Sequence, residues 1–180
     1  MQAARGASLT DGRDPHDLPP SSVRLFVVVV VVALALDQVT KVLAVRYLEG
    51  HDPVTVIPGL IDLRFLRNGG AALGTGSSMT IVLTAVAAIV SVVVIRMSAR
   101  LRDRGWALGL GLLLGGAVGN LIDRIFREPS ALRGHVVDFI DYGPFVGNVA
   151  DIALTFAAVI IVWRSWRGVN LDGTREVDQA

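Results

Sequence analysis

The chain has 180 residues, of which 52% are hydrophobic, with a net charge of +1 and a mean hydropathy of +0.57. So apolar a composition excludes an ordinary soluble domain and indicates an integral membrane protein, and the balanced charge offers neither a nucleic-acid-binding surface nor an acidic tail. No cysteine is present, which excludes disulfides, thiolate metal sites and a cysteine nucleophile; His16, His51 and His135 are scattered and form no HExxH motif, so neither metal nor cofactor is expected.

Residues 1–22 are polar and rich in Gly, Pro and Asp, and read as a disordered tail too long and too acidic for a secretory signal. A first transmembrane helix is expected from about Val23 to Leu48, opening with the uninterrupted apolar run Leu25 to Leu36. Valines are weak helix formers in water, but in lipid the backbone must satisfy itself internally, which forces a helix. The following stretch, Val54 to Leu66, alternates around the turn pair Pro58–Gly59 and predicts a short β-hairpin or small sheet on the outer membrane face. Gly69, Gly70, Gly74 and Gly76 then mark a tightly turned return. Further transmembrane helices are expected at about Met79 to Met97, Trp106 to Phe126 and Val149 to Trp166, each long enough to cross a hydrocarbon core of about 30 Å. Residues 23–167 thus form one membrane domain, and residues 168–180 a C-terminal tail. The fold class is membrane all-α, four helices with a small extracytoplasmic sheet. No internal repeat supports an inverted-repeat transporter.

Orientation follows from the arginines. Arg96, Arg100, Arg102 and Arg104 crowd the link between the second and third helices, Arg164 and Arg167 flank the fourth, and Arg24 opens the first. The positive-inside rule puts both termini and that link in the cytoplasm, with Trp106, Trp163 and Trp166 at the inner interface.

The unusual stretch is Gly115 to Asp151, four aspartates and two asparagines between strongly apolar runs. An acid at the centre of a membrane helix costs about 2.5–3.5 kcal/mol on insertion scales, so such residues face a cavity, pair, or do chemistry. At 1.5 Å per residue, Asp37 lies roughly 20 Å from Arg24, and Asn120 roughly 21 Å from Trp106. Asn148 and Asp151 stand in the first turn of the fourth helix. Three helices therefore bring their polar residues to one level, the outer third of the membrane. Asp37 and Lys41, four apart, form either an intrahelical salt bridge or a substrate-orienting pair; Lys41 is also free to snorkel. Gly115, Gly116 and Gly119 make a close-packing face, with Asn120, Asp123 and Arg124 beyond it. Asp123 reads as structural, bracing the third helix with Arg124. Asn148 and Asp151 fit a helix N-cap and its first-turn acid. Asp138, in His-Val-Val-Asp-Phe-Ile, is an acid among large apolar residues, with Asp141 as its solvated neighbour. If Asp138 and Asp151 face each other, burial splits them into one ionised and one protonated carboxylate, a pair that activates water and protonates a leaving amine. No GxSxG serine elbow competes. A small ion or proton transporter and a noncatalytic assembly factor remain as rival readings.

Five ordered blocks carry a resemblance: Asp37-Gln-Val-Thr-Lys41, Arg67-Asn-Gly-Gly-Ala-Ala72, Gly115-Gly-Ala-Val-Gly-Asn-Leu-Ile-Asp-Arg124, Val136-Val-Asp-Phe139 and Asn148-Val-Ala-Asp151. Together they resemble the signature blocks of the lipoprotein signal peptidases (signal peptidase II) and cover most of Val23–Trp166. The resemblance implies a monomeric aspartic endopeptidase of the bacterial plasma membrane that cuts diacylglyceryl-modified prolipoproteins just before the lipidated cysteine and is inhibited by globomycin. It places the catalytic acids on Asp138 and Asp151, and substrate- and inhibitor-contacting residues on Asp37, Lys41, Asn68, Gly70, Asn120, Arg124 and Asn148. Two positions depart from the pattern: Leu73 and Gly147 stand where Phe is usual. The Arg127–Gly134 insert and the short Asp138–Asp151 spacing resemble an actinobacterial variant.

Overall fold

The computed structural model describes residues 19–70, 77–129 and 131–175. The tail expected over residues 1–22 lies outside them as far as residue 18, as does Leu73. Four helices, α1 (Val23–Leu48), α2 (Ser77–Ser98), α3 (Arg104–Phe126) and α4 (Val149–Trp166), are each long and apolar enough to cross a membrane. α1 and α4 have the expected bounds. α3 starts two residues before the expected Trp106, because Asp103 caps it by accepting the Trp106 N–H at 2.8 Å.

α3 is the central helix. It packs against α1, α2 and α4, and 56% of its apolar window is buried against 17–22% for the other three. Small residues make this approach close. A Cβ on Gly115 would stand 2.8 Å from the Ala33 Cβ of α1, and one on Gly116 would stand 2.8 Å from the Ala150 carbonyl of α4. Without a hydrophobic driving force between helices in lipid, such backbone proximity is what drives packing. α1 is inverted relative to a soluble helix. Its buried side holds Phe26, Ala33, Asp37, Lys41 and Ala44, while Val28, Val31, Leu36, Val39 and Val42 face outward.

The sheet is larger than the expected hairpin. β1 (Val54–Ile57) and β2 (Ile61–Asn68) pair antiparallel around a turn where Gly59 takes φ +74, and β3 (Val136–Asp141) and β4 (Val146–Gly147) extend them in the order β1-β2-β3-β4. Pairing of Leu66 with Asp138, and of Asn68 with Val136, carries the Asn68 block of the first link against the acid-bearing strand. Val137 and Phe139 pack with Ala44, Leu63, Phe65 and Val149, which presses the sheet onto the ends of α1 and α4.

At the other end of the bundle the chain after α4 is not loose. The Arg102 and Asp103 amides donate to the Leu171 carbonyl, the Trp106 indole donates to the Val169 carbonyl at 2.6 Å, and Val169 is buried. Trp106 thus turns inward, while Trp163 and Trp166 stay exposed, edge to face at 5.7 Å. Asp103 also pairs with Arg164.

Candidate active site

Lys41 is wholly buried, and its ammonium sits between three oxygens: Asp37 Oδ2 at 2.8 Å, Asp123 Oδ2 at 2.9 Å and Asn120 Oδ1 at 2.8 Å. All three N–H donors are used, so the side chain does not snorkel. Each carboxylate reaches a second element. Asp37 Oδ1 accepts the Ala150 N–H at 3.0 Å, tying α1 to the first turn of α4, and Asp123 Oδ2 accepts the Val137 N–H at 3.2 Å, tying α3 to β3. The charged partners of Asp123 are Lys41 and Arg127, whose Nε lies 2.7 Å from Oδ1. Arg124, the brace expected from the sequence, instead donates to the Asn120 carbonyl at 3.3 Å and lies in the field of both Asp138 and Asp151. Asp141 is not simply solvated: it pairs with Arg64 at 3.0 Å and accepts the Gly143 N–H at 2.8 Å.

Above the lysine, polar residues from the sequence blocks close on Asp138 and Asp151 through the three amides of Asn68, Asn120 and Asn148, and each amide's orientation is fixed by an unambiguous donor. Asn68 Oδ1 accepts the backbone N–H of Gly70 at 2.8 Å, so its NH₂ faces Asp138 Oδ2, also at 2.8 Å. Gly70 reaches that position at φ +87, which favours glycine. Asn148 Oδ1 accepts the Asp151 N–H at 3.1 Å, so its NH₂ faces Asp138 Oδ1 at 2.6 Å and Asn120 Oδ1 at 3.3 Å. Asn120 Oδ1 takes the Lys41 ammonium, so its NH₂ faces Asp151 Oδ1 at 3.3 Å. Lys41 therefore orients Asn120, and Asn120 orients Asp151.

The capping role considered for Asp151 is present in full. Its Oδ2 accepts the Asn148 N–H at 3.0 Å, completing a reciprocal capping box, while Oδ1 remains directed at Asn120. Asp138 is only 2% exposed, and burial in the sheet pushes its carboxyl up to about 6. The neighbouring Asp151 charge pushes the same way, and the Asn68 and Asn148 hydrogen bonds hold the rise in check. The Tyr142 phenol is raised too, by burial and by Asp151.

Two apolar cavities lie near these residues. One of about 230 Å³ is lined by Tyr142, Phe145, Asp151, Ile152, Thr155 and Phe156, and one of about 240 Å³ runs between α1 and the sheet along Leu43, Tyr47, Leu63 and Phe139. The Gly147 departure has a local explanation. A Cβ there would stand 2.9 Å from Asp151 Oδ2, so the carboxylate in its capping position leaves room only for glycine, and Phe145, stacked on Tyr142 at 4.8 Å, packs alongside.

Two contributors escaped sequence reading. Gln38 bridges Asp37 Oδ2 at 3.0 Å and the Gly119 carbonyl at 3.1 Å, and Arg127 closes the outer side of Asp123. An amide inside an apolar span flags the first, and the four-residue spacing from Asp123 flags the second.

Four membrane spans under a small sheet, with buried carboxylates held by oriented amides where the two meet, define a polytopic membrane enzyme. Two solved structures, each titled as a bacterial membrane enzyme, have this fold: TM-scores are 0.69 and 0.72 at 28% and 26% identity, covering 79% and 84% of this chain and 92% and 93% of theirs. Residues 29–167 match the family described as Signal peptidase (SPase) II. Lipoprotein signal peptidases of Rhodococcus jostii (44% identical over 179 residues, 93% of this chain and 90% of that protein) and Mycobacterium avium (45% over 164 residues, 91% and 90%) are similar along nearly their whole length. The chain belongs to the signal peptidase II family and is a peptidase.

Proposed function

We propose that this peptidase removes signal peptides from diacylglyceryl-modified prolipoproteins, cutting just before the lipidated cysteine, with Asp138 and Asp151 as its catalytic acids. The observation that carries the reading is the single amide of Asn148, which caps the helix bearing Asp151 while donating to Asp138. Asp138, held protonated by burial up to about pH 6, is the proton donor. Asp151 is the base: it takes a proton from a water whose oxygen attacks the scissile carbonyl carbon. Asp138 hydrogen-bonds the developing oxyanion and delivers its proton to the leaving amine as the C–N bond breaks, and the proton taken from water then restores the pair. Lys41, Asn120 and Asn148 hold the two carboxylates in register, which is the positional contribution to rate.

The arginines around α2–α3 and α4 support cytoplasmic termini in a bacterial plasma membrane, leaving the sheet and the acids near the extracytoplasmic face. Substrate enters laterally with its acyl chains in the bilayer, and the apolar cavity beside Asp151 suits a small side chain next to the scissile bond. The test is cleavage of a lipid-modified prolipoprotein by the protein in detergent, with and without globomycin. Cleavage before the modified cysteine that globomycin suppresses is expected; ion flux in proteoliposomes with no cleavage overturns the reading.

A further inference from the structure

At the end of the bundle remote from the acids lies a cavity of about 590 Å³, lined by Pro19, Pro20, Ser21, Ser22, Arg24, Leu25, Arg102 and Arg104. Its three arginines come from the first turn of α1 (Arg24), the α2–α3 link (Arg102) and the start of α3 (Arg104). The acid next to them in sequence, Asp103, is committed to the Trp106 N–H and to Arg164. Arg102 spends one N–H on the Pro19 carbonyl at 2.6 Å, and neither Arg24 nor Arg104 has an ion-pair partner among the described residues. α1 also begins without a side-chain cap and without an acid in its first turn, so its partial positive end adds to the same field.

The cavity is amphipathic in a directional way. Leu25 forms part of its wall, and Leu25, Val28 and Val32 follow at helical spacing along one outward face of α1, all exposed. A guanidinium cluster that gives onto a lipid-facing apolar stripe matches a molecule with an anionic head and a hydrocarbon tail. Guanidinium forks suit phosphate oxygens, and they are less strongly hydrated than ammonium groups, which favours contact over screening by water.

We propose that this arginine-lined cavity binds the phosphate of an anionic phospholipid, with Arg24 and Arg104 as its principal contacts and the acyl chains lying along Leu25, Val28 and Val32. The bound lipid anchors the α1 and α3 starts at a fixed depth, independently of the peptidase site.

Tryptophan quenching tests this directly on a Trp163→Phe/Trp166→Phe background, in which Trp106, two residues from Arg104, is the one remaining indole. The full chain is reconstituted in vesicles of phosphatidylcholine containing brominated phosphatidylglycerol, or brominated phosphatidylcholine at equal mole fraction. Preferential quenching by the anionic lipid is expected. Arg24→Gln and Arg104→Gln should each weaken that preference about fivefold through loss of a charge-assisted contact to the phosphate. Arg100→Gln, at an exposed arginine outside the cavity, should leave it unchanged. Unchanged helicity by circular dichroism and retained cleavage of substrate establish that the variants are folded. Equal quenching by the two lipids overturns the proposal, as does an Arg100→Gln effect matching that of Arg24→Gln, which is diffuse surface charge. Displacement of the brominated lipid by inorganic phosphate alone, at matched ionic strength, also overturns it in favour of a free-anion site.

Discussion

Replacing Asp138 by Asn removes a buried carboxyl whose protonation should be visible in the stability of the whole protein. In the folded state the group titrates near 6, against an ordinary value of 3.8. Between those two values the folded protein binds a proton that the unfolded chain has released, so stability falls as pH rises through this window and the loss is complete above about 6. The gap, at about 1.4 kcal/mol per pKa unit, amounts to about 3 kcal/mol. At 2% exposure solvent screening does not dilute it. The assay is unfolding in detergent, followed by far-UV circular dichroism from about pH 4 to about pH 8, on the natural chain and on Asp138→Asn. Every other ionisable group is common to both proteins, so the difference between the two curves isolates Asp138. Asp138→Asn should be the flatter curve, gaining on the natural chain as pH rises. Parallel curves, or a difference of opposite sign, refute the claim that burial raises this acid.

Lys41→Met leaves Asp37 and Asp123 buried without the cation they share, and should destabilise the protein by about 3–5 kcal/mol in detergent unfolding; adding Asp37→Asn should recover part of that loss. A Lys41→Met protein within about 1 kcal/mol of the natural chain contradicts the buried network. Gly116→Ala places a methyl 2.8 Å from the Ala150 carbonyl, one residue from Asp151. It should lower stability by about 1–3 kcal/mol and reduce substrate cleavage, both measurable on the same preparation, whereas Gly50→Ala, exposed with nothing within 4 Å, should cost stability only through its φ of +77 and spare cleavage.

The spans were legible because lipid imposes a length and a composition: α1 and α4 have the bounds that their apolar runs predict. That Asp37, Asn120 and Asp151 come to one level was legible too, since a fixed rise per residue aligns positions on neighbouring helices. What the sequence hid is pairing across elements. Spacing reveals Asp37 with Lys41, four apart on one helix, but says nothing of Asp123, which shares the same ammonium from a different helix. Adjacency suggested Arg124 for Asp123, yet successive residues of a helix point about 100° apart, and Arg127, one turn on, is the residue that meets it. β3 was hidden for another reason. Val136 to Phe139 are all buried, so the strand lacks the alternation that betrays a half-exposed one, and only its pairing with β2 makes it a strand. The capping and catalytic readings of Asp151 do not exclude each other. A carboxylate has two oxygens, and here one caps while the other faces Asn120.

The proposed chemistry needs Asp138 and Asp151 together, and the direct measurement is cleavage of a diacylglyceryl-modified prolipoprotein by purified Asp138→Asn and Asp151→Asn proteins. Each exchange keeps the shape and changes only the acid. Both variants should insert in the membrane at normal levels and release no signal peptide, while Asp141→Asn, whose acid pairs with Arg64 at the sheet surface, should cleave normally. Normal cleavage by either Asp138→Asn or Asp151→Asn would contradict the pair.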